Sequence, residues 1–262
     1  MVQTMVTKFF STRVEAGSLA VLALGQSGFL FKNATGVTLA IDPCLADPVA
    51  KLRPEWGRLY PAPLQPAELQ CDILMVTHDH LDHLDPDTIS GLGHGNVEKF
   101  VGPRNACKHF AQLGIPTERI VRLDAAETVE LGGIRIGGTL AITNDPSHPD
   151  AEGIILNFPD APSVYHTGDT AFSPLLANVA KEKPDIYMPC INGRYGNMDL
   201  LEAAVLGAAL RSRWAIPHHY DMFKNNLANP EDFKSRLARF APETICVVLG
   251  PGEMTVVAGG DR

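Results

Sequence analysis

The sequence lacks the features of a membrane-spanning or secreted protein. None of its apolar runs approaches the ~20 residues that cross a bilayer. Residues 1–18 lack the apolar core and the small-residue cleavage site of a signal peptide. The five cysteines are scattered and odd in number, which favours reduced thiols over a set of disulfides. We therefore expect a cytoplasmic protein with no membrane partner.

Runs of basic residues are also absent. The formal net charge is -8, and the basic pairs within residues 181–183 and 211–213 are short and isolated. Because nucleic-acid affinity comes largely from Lys and Arg that neutralise phosphates, this composition argues against a nucleic-acid polymer as a partner. It leaves room for a local basic pocket, and part of the acidic excess can serve as ligands to cations.

The remaining composition is that of an ordinary globular protein. The chain has 262 residues, of which 45% are apolar and 20% charged. This length suits one large domain or two small ones, and we interpret residues 1–262 as a single domain. No feature of the sequence decides the oligomeric state, so a homo-oligomer stays open.

The densest concentration of chemistry lies in residues 78–83, where three His and two Asp fall within six positions. The apolar run 71–76 before them predicts a buried strand. After them, Asp85, Pro86 and Asp87 predict a helix with an Asp N-cap, a Pro at its first position and an acid in its first turn. The cluster should therefore occupy a tight loop between two rigid elements.

The spacing within this loop indicates metal binding. His78 and His80 are two apart on an extended chain and point to one side, and the turn brings Asp82 and His83 round to face them. Imidazole and carboxylate ligands suit zinc, manganese or iron. Four ligands from so short a segment suggest two ions, one started by His78 and His80 and the other by Asp82 and His83.

The pattern His-x-His-x-Asp-His after an apolar strand resembles the signature of the metallo-β-lactamase superfamily. The resemblance implies an α/β fold, the αββα sandwich of two mixed β-sheets flanked by helices, with the metal site at one edge. It also implies three later ligands: a His, an Asp that bridges the metals and a last His. His148 precedes a Gly-led strand, Asp169 follows Gly168 after a short strand, and His219 follows another strand, so these three match.

The ligand sets implied by this resemblance hold two divalent ions, manganese or zinc. They are His78, His80 and His148 for the first ion, Asp82, His83 and His219 for the second, and Asp169 between the two. Asp42, in Asp42-Pro43, matches an Asp that supports the metal loop, although a plain turn explains it equally well. His166 is expected beside the site and His218 is not expected to be a ligand.

Later segments resemble the L-ascorbate-6-phosphate lactonase group within the superfamily. The resembling stretches are residues 192–194, 196–198, 217–223 and 229–233. The loop between the first two stretches is shorter than in that group, since only Tyr195 separates them. The resemblance implies substrate contacts from Asn192, Arg194, Asn197 and Tyr220. The Arg194 guanidinium suits a phosphate or carboxylate, with a surface ion pair as the open alternative.

The implied function is a dinuclear metal-dependent hydrolase of a small anionic ester or lactone such as a sugar phosphate. A metal-bound hydroxide would be the nucleophile, with Asp82 carrying a proton to the leaving group and Asp169 bridging the ions. A phosphodiesterase for small phosphodiesters or cyclic nucleotides is the first alternative. A di-iron redox protein, which normally needs a flavin partner domain, and a non-catalytic metal-binding module are further alternatives.

Residues 47–66 contain five prolines together with Trp56 and Tyr60. So many prolines exclude a long helix or a central strand, and we expect no regular helix here. An ordered loop of this length is often functional, so the two aromatic residues are candidates for one wall of an active-site cleft. Anchoring of a surface loop is the alternative.

Overall fold

The computed structural model describes residues 2–93 and 95–259. Strands dominate this part of the chain, and helices fall between them at a few places. The strands are β1 (Ser18–Gly25), β2 (Gly28–Lys32), β3 (Thr38–Ile41), β4 (Cys71–Met75), β5 (Val97–Gly102), β6 (Ile120–Arg122), β7 (Thr128–Leu131), β8 (Ile134–Leu140), β9 (Glu152–Asn157), β10 (Val164–His166), β11 (Ile186–Met188), β12 (Trp214–Ala215), β13 (Ile245–Cys246) and β14 (Met254–Ala258). The α-helices are α1 (Val2–Ser11), α2 (Pro48–Leu52), α3 (Pro86–Gly91), α4 (Arg104–Gln112), α5 (Leu200–Leu210) and α6 (Pro230–Phe240).

The strands form two sheets with closely similar topology. The first sheet has the order β14-β1-β2-β3-β4-β5-β6 and the second the order β13-β12-β11-β10-β9-β8-β7. In the first sheet the pairs from β14 to β3 are antiparallel and those from β3 to β6 are parallel. The second sheet repeats this division, with antiparallel pairs from β7 to β10 and parallel pairs from β10 to β13. The expected fold of two mixed sheets flanked by helices is confirmed.

Strand β1 shows why the two sheets stack with helices outside. Leu19 and Val21 belong to the core between the sheets, whereas Ala20 and Leu22 belong to a second core on the other face. Successive side chains of a strand point to opposite faces, so a strand covered on both sides is a continuous apolar run. Helices α3 and α4 cover the outer face of the first sheet, and α5 and α6 cover the second.

The helix that follows the His/Asp loop begins as the sequence predicts. Asp85 is the N-cap of α3 and accepts a hydrogen bond from Asp87 N at 3.0 Å, and Pro86 is its first residue. Asp85 also accepts from Ala46 N and from the Thr88 hydroxyl, so the helix start is tied to the segment after β3. The loop is therefore clamped at both of its ends.

One expectation about the proline-rich segment is wrong. Residues 48–52 form a short regular helix, α2, because Pro48 stands at its first position, where the missing N–H costs no hydrogen bond. Short 3₁₀ turns at Pro54–Trp56 and Pro66–Glu68 likewise begin with a proline. No described helix is long and apolar enough to span a membrane.

Candidate metal centre

The predicted ligands meet at one edge of the sandwich because they follow strands that end there. His78 to His83 follow β4 in the first sheet, and Asp169 and His219 follow β10 and β12 in the second. Each of these strands lies in the parallel part of its sheet, where the carboxyl ends of neighbouring strands meet at a common edge. The two sheets thus present their functional loops to each other.

Five side chains form what we call the inner group: His78, Asp82, His83, Asp169 and His219. His83 Nε2 lies 3.3 Å from Asp169 Oδ1, and His219 Nε2 lies 3.0 Å from Asp169 Oδ2. Asp82 Oδ2 lies 3.5 Å from His219 Nε2. Ligand atoms of His78, His83 and Asp169, and likewise those of Asp82, His83 and His219, lie within 4.8 Å of one another. Each of these two sets of ligand atoms could therefore surround one cation, and His83 belongs to both sets.

Three further side chains form the outer group: His80, Asp145 and His148. Their ligand atoms also lie within 4.8 Å of one another, and the His80 and His148 rings are 3.8 Å apart between centroids. His78 Nε2 is 2.7 Å from His80 Nδ1, so the two groups are contiguous. Asp145 was not among the residues that the sequence pointed to. It occupies the same loop as His148, and its carboxylate Oδ2 lies 3.2 Å from His80 Nε2.

The backbone turns sharply at two of these ligands. Gly168 has φ +59°, and a Cβ there would stand 2.5 Å from the carbonyl oxygen of Glu152, so only glycine fits before Asp169. His219 itself has φ +60°, and its N–H donates to Gln26 O at 2.9 Å. The strained conformation at His219 is compensated by this bond and aims the ring at Asp169.

A buried acid supports the inner group from behind, as predicted for Asp42. Its Oδ1 accepts from Thr77 N at 2.7 Å, and its Oδ2 accepts from Thr77 Oγ1 and from His83 Nδ1, each at 2.8 Å. Because a carboxylate can only accept, the proton of His83 lies on Nδ1 and Nε2 faces Asp169. The prediction that Asp42 supports the metal loop is confirmed.

A second carboxylate orients the outer group. Asp79 Oδ1 contacts His148 Nδ1, and Asp79 Oδ2 lies 3.2 Å from Nε2 of the half-exposed His109 on α4. The contact turns His148 Nε2 away from Asp79, which is the arrangement that carboxylate–histidine–metal triads use. Asp79 stands in the motif, but no sequence pattern indicates its partners.

Two amide side chains complete the surroundings of the inner group. Gln26, in the β1–β2 turn, donates from Nε2 to Asp82 Oδ2 at 2.7 Å and lies 3.2 Å from His219 Nε2. Asn197 donates to Asp169 Oδ2 at 3.0 Å. Each amide fixes the orientation of a candidate ligand carboxylate. Asn197 was predicted as a substrate contact, and the role of Gln26 was not foreseen.

Two histidines lie behind the inner group. The His166 and His218 rings stack at 4.1 Å, and both are buried. Gly168 N donates to His166 Nδ1 at 3.1 Å, and His166 Nε2 donates to Ser27 O at 3.0 Å. Burial lowers the pKa of His166 to about 4, so the ring is neutral and holds the turn before Asp169.

Electrostatics favour ionised carboxylates in the inner group. Burial opposes ionisation of Asp169 and Asp82, but His219 and His83 beside them outweigh burial and hold the pKa of both carboxyl groups below the usual range. Burial likewise opposes protonation of His219, yet Asp169 and Asp82 raise its pKa to about 9. The carboxylates thus carry the charge that a cation requires.

The donor set fits divalent cations. Imidazole nitrogens and carboxylate oxygens are the ligands that zinc and manganese accept, and no thiol lies in either group. His83 Nε2 and Asp169 Oδ1 are buried and have no hydrogen-bond partner among the described residues. Buried polar atoms are otherwise almost always paired, and a cation between these two atoms would satisfy both.

The groups open into a cleft of about 340 Å³. Its floor includes His78, His80, Asp82, Asp169 and His219. Trp56 lines it, in line with the wall expected from the proline-rich segment. Tyr60 instead lines a neighbouring cavity of about 270 Å³, and its hydroxyl lies 3.4 Å from Gln26 N.

Three of the predicted substrate contacts, Arg194, Asn192 and Tyr220, lie outside the lining of this cleft. Arg194 is exposed and does not line the cleft, and Asn192 is buried with both amide atoms unpaired among the described residues. Tyr220 lines the neighbouring cavity and donates to Leu249 O at 3.3 Å. Among the described residues, Arg53 is the one Arg or Lys that lines the cleft. It directly precedes the 3₁₀ turn at Pro54–Trp56. Sequence reasoning missed Arg53.

Comparison with known proteins agrees with this geometry. The family model described as "Beta-lactamase superfamily domain" matches residues 21–219. A UPF0173 metal-dependent hydrolase of Hyperthermus butylicus is 30% identical over 234 residues, which are 88% of this chain and 96% of that protein. A UPF0173 metal-dependent hydrolase of Thermoplasma acidophilum is 32% identical over 200 residues, or 74% of this chain and 81% of that protein.

A solved structure shares the same fold. Igni18, a metallo hydrolase from the hyperthermophilic archaeon Ignicoccus hospitalis, superposes with a TM-score of 0.73 at 24% identity and covers 93% of this chain and 100% of its own. With the sandwich, the loop ligands and the relatives in agreement, the chain belongs to the metallo-β-lactamase superfamily and, within it, to the family of UPF0173 metal-dependent hydrolases.

Proposed function

We propose that this protein is a dinuclear metal-dependent hydrolase of a small anionic ester or lactone. The observation that carries the proposal is the pair of buried atoms His83 Nε2 and Asp169 Oδ1, which have no hydrogen-bond partner among the described residues, and Asp169 lines an open cleft. They lie 3.3 Å apart inside a set of imidazoles and carboxylates that suits divalent cations. An apolar or hydrogen-bonded structural site would not leave both atoms unpaired.

The proposed ligand sets draw on both groups, because His78 Nε2 of the inner group lies 2.7 Å from His80 Nδ1 of the outer group. His78, His80 and His148 would hold one ion, and Asp82, His83 and His219 the other. Asp169 reaches both sets because its carboxylate contacts His83 and His219 of the second set and lies within 4.8 Å of the ligand atom of His78 in the first. Asp145 adds a carboxylate beside His80 and His148. Two ions of this kind, manganese or zinc, supply an activated water at neutral pH and polarise a carbonyl or phosphoryl oxygen.

The side chains around the ions position and move protons. Asp82 lines the cleft, and Gln26 Nε2 holds its Oδ2 at 2.7 Å. We assign to the ionised Asp82 carboxylate the removal of a proton from the attacking water and the transfer of that same proton to the leaving oxygen. Asn197 keeps Asp169 in place, and Asp42 keeps His83 in the tautomer that a metal ligand needs.

An anionic substrate suits the charge of the cleft. Two divalent ions carry four positive charges against the three carboxylates of the lining, Asp82, Asp145 and Asp169, and Arg53 adds a further positive charge. The net charge of -8 on the whole chain would repel anions at a distance. The positive charge in the cleft would therefore be what attracts an anionic substrate. A small substrate agrees with a cleft of about 340 Å³.

The deciding experiment is the metal content of the purified protein after reconstitution with manganese or zinc, together with its hydrolytic activity. We expect about two ions per chain by inductively coupled plasma mass spectrometry. Activity is assayed on simple esters, lactones and bis(4-nitrophenyl) phosphate, the last of which reports phosphodiesterase activity.

Two variants make this experiment specific. Asp82→Asn keeps the size of a candidate ligand, and Asp232→Asn makes the same change on the outer helix α6. We expect Asp82→Asn to lose activity while Asp232→Asn behaves as wild type. Absence of bound metal after reconstitution, or full activity of Asp82→Asn, would contradict the proposal.

A further inference from the structure

We infer that the substrate carries an apolar ring or branched chain beside the reacting ester or lactone bond and a carboxylate-like negative group at its far end. The inference rests on the proposed function, because it concerns the same cleft. It follows from the wall that faces the metal groups, which differs in chemistry from the floor.

This wall is aromatic and aliphatic. The Trp56 ring lies 5.3 Å from the Tyr195 ring and 6.3 Å from the Phe223 ring, measured between centroids. Val49 and Leu52 of α2 extend the same surface. The wall is assembled from three segments distant in sequence, and it lines the same cleft as His78 and Asp82.

Solvent reaches much of this apolar surface. Leu52 is 74% exposed and Tyr195 is 62% exposed. Exposed apolar surface forgoes about 25 cal/mol per Å² of stabilisation, and contiguous patches of it commonly mark binding sites. Since both residues line the cleft next to the metal groups, a substrate that covers them gains this free energy.

Among the described residues, Arg53 is the one Arg or Lys of the lining, and it lies beside Trp56. The Arg53 guanidinium carbon stands 5.7 Å from the centroid of the Trp56 ring, and Arg53 has no ion-pair partner among the described residues. Arg58 nearby is instead occupied by the carbonyl oxygens of Cys44 and Ala46. Arg53 is thus the guanidinium free to receive an anionic group of the substrate.

This distribution disfavours a phosphorylated sugar. Each sugar hydroxyl that loses water needs a hydrogen-bond partner, and Val49, Leu52 and Phe223 offer none. An aryl or branched-alkyl group needs no such partner and can pack against the exposed surface of Leu52 and Tyr195 beside Trp56. The wall therefore narrows the proposed anionic ester or lactone to one with an apolar body.

Four matched esters test the two parts of the inference separately. They are the monomethyl ester of glutaric acid, the same ester with a phenyl group on its central carbon, and the two corresponding esters in which a methyl group replaces the free carboxyl group. A phosphorylated sugar lactone completes the panel. Hydrolysis by the protein loaded with manganese or zinc is followed by acid release.

We expect the phenyl-substituted acid to have the highest kcat/KM, with the phenyl group contributing about tenfold. Trp56→Ala should lower kcat/KM about tenfold for the phenyl esters alone, and Arg53→Gln should do so for the acids alone. Leu59→Ala and Arg236→Gln are the controls. They change an exposed leucine and an exposed arginine outside the cleft, and no ester should distinguish them from wild type.

The outcomes separate the two proposals. If the loaded protein hydrolyses these esters but gains nothing from the phenyl group, or prefers the sugar lactone, the inference is wrong and the proposed function stands. A selective loss on the acids in Arg194→Gln, with Arg53→Gln unaffected, also overturns it. If no ester, lactone or phosphodiester is hydrolysed, the proposed function fails and the inference with it.

Discussion

The inner and outer groups use the same residue types but differ in how the fold holds them. In the inner group the side chains of His83 and His219 are 0% and 5% exposed, and that of Asp169 is 18% exposed. In the outer group the side chains of His80 and Asp145 are 34% and 43% exposed. Burial weakens competition from water, so equal ligands bind a cation more firmly in the inner group.

The interactions that hold the side chains of the two groups in place also differ in how deeply they are buried. Asp42 is fully buried and fixes His83 through a hydrogen bond within a network that includes Thr77. Asp145 is fixed by its own loop, where Ser147 N donates to its Oδ1 at 2.9 Å. The inner group therefore depends on packing of both sheets, whereas Asp145 of the outer group depends on one surface loop. We call the proposed ion at Asp82, His83 and His219 the inner ion and the proposed ion at His78, His80 and His148 the outer ion. We expect the inner ion to be the more tightly bound of the two.

The largest effect is expected from Asp169→Ala, because Asp169 faces both His83 and His219. Loss of its two oxygens should release at least one ion and lower kcat/KM by about 10³-fold, as removal of a group at a reacting centre does. Metal content and steady-state kinetics measure both effects. Asp232→Ala is the matched control, and two retained ions with near-normal activity would show that Asp169 is not a ligand.

Asp42→Asn should come next. Asn tolerates the φ of +45° at this position, so the backbone is preserved. Its amide NH₂, however, must face either Thr77 N–H or the donors of Thr77 Oγ1 and His83 Nδ1. This mismatch should cost about 1–3 kcal/mol of unfolding free energy. It should also weaken the inner ion about 10–100-fold.

Thermal unfolding of the metal-free protein and a competitive metal titration measure the two consequences of Asp42→Asn. Thr77→Val is the graded control, because it removes one donor and leaves the carboxylate in place. An Asp42→Asn protein that binds the inner ion as wild type does would mean that Asp42 supports only the fold.

The local part of the site was predictable from the sequence. The apolar run before His78 and the capped helix start at Asp85 are short-range signals, and they fix the His/Asp loop between rigid elements. The arrangement of the strands in two mixed sheets was implied by the resemblance to the metallo-β-lactamase superfamily. Asp169 and His219 were identified through resemblance, since a lone Asp or His carries no local signal of metal binding.

The rest depends on contacts that only the folded chain creates. Gln26 reaches Asp82, 56 residues away, and lies in a turn whose sequence says nothing of a metal centre. The resemblance pointed to Arg194 as the anion-binding arginine, and only the course of the chain puts Arg53 in the cleft instead. Asp145 owes its place to the way its loop folds over His80.

Asp145→Ala tests the outer group and should have a smaller effect than either inner-group change. The side chain is 43% exposed, so we expect unfolding of the metal-free protein to be unchanged. The affinity of one ion should fall by about tenfold while the other stays bound, because the inner ligands are untouched. A titration with a chelator resolves the two ions. Simultaneous loss of both ions in Asp145→Ala would show that the two groups bind as one unit.

The smallest effect is expected along the line from His148 through Asp79 to His109. Asp79→Asn keeps the shape of the side chain but removes the charge that holds His148 Nδ1, so the outer ion should weaken by about tenfold. His109 contacts the same carboxylate from the outside and is 47% exposed, so His109→Gln should change the affinity by less than about threefold. The chelator titration compares the two variants directly. An equal loss in both would mean that His109, through Asp79, fixes His148 as strongly as Asp79 does, and that the outer group is anchored to α4 as well as to its own loop.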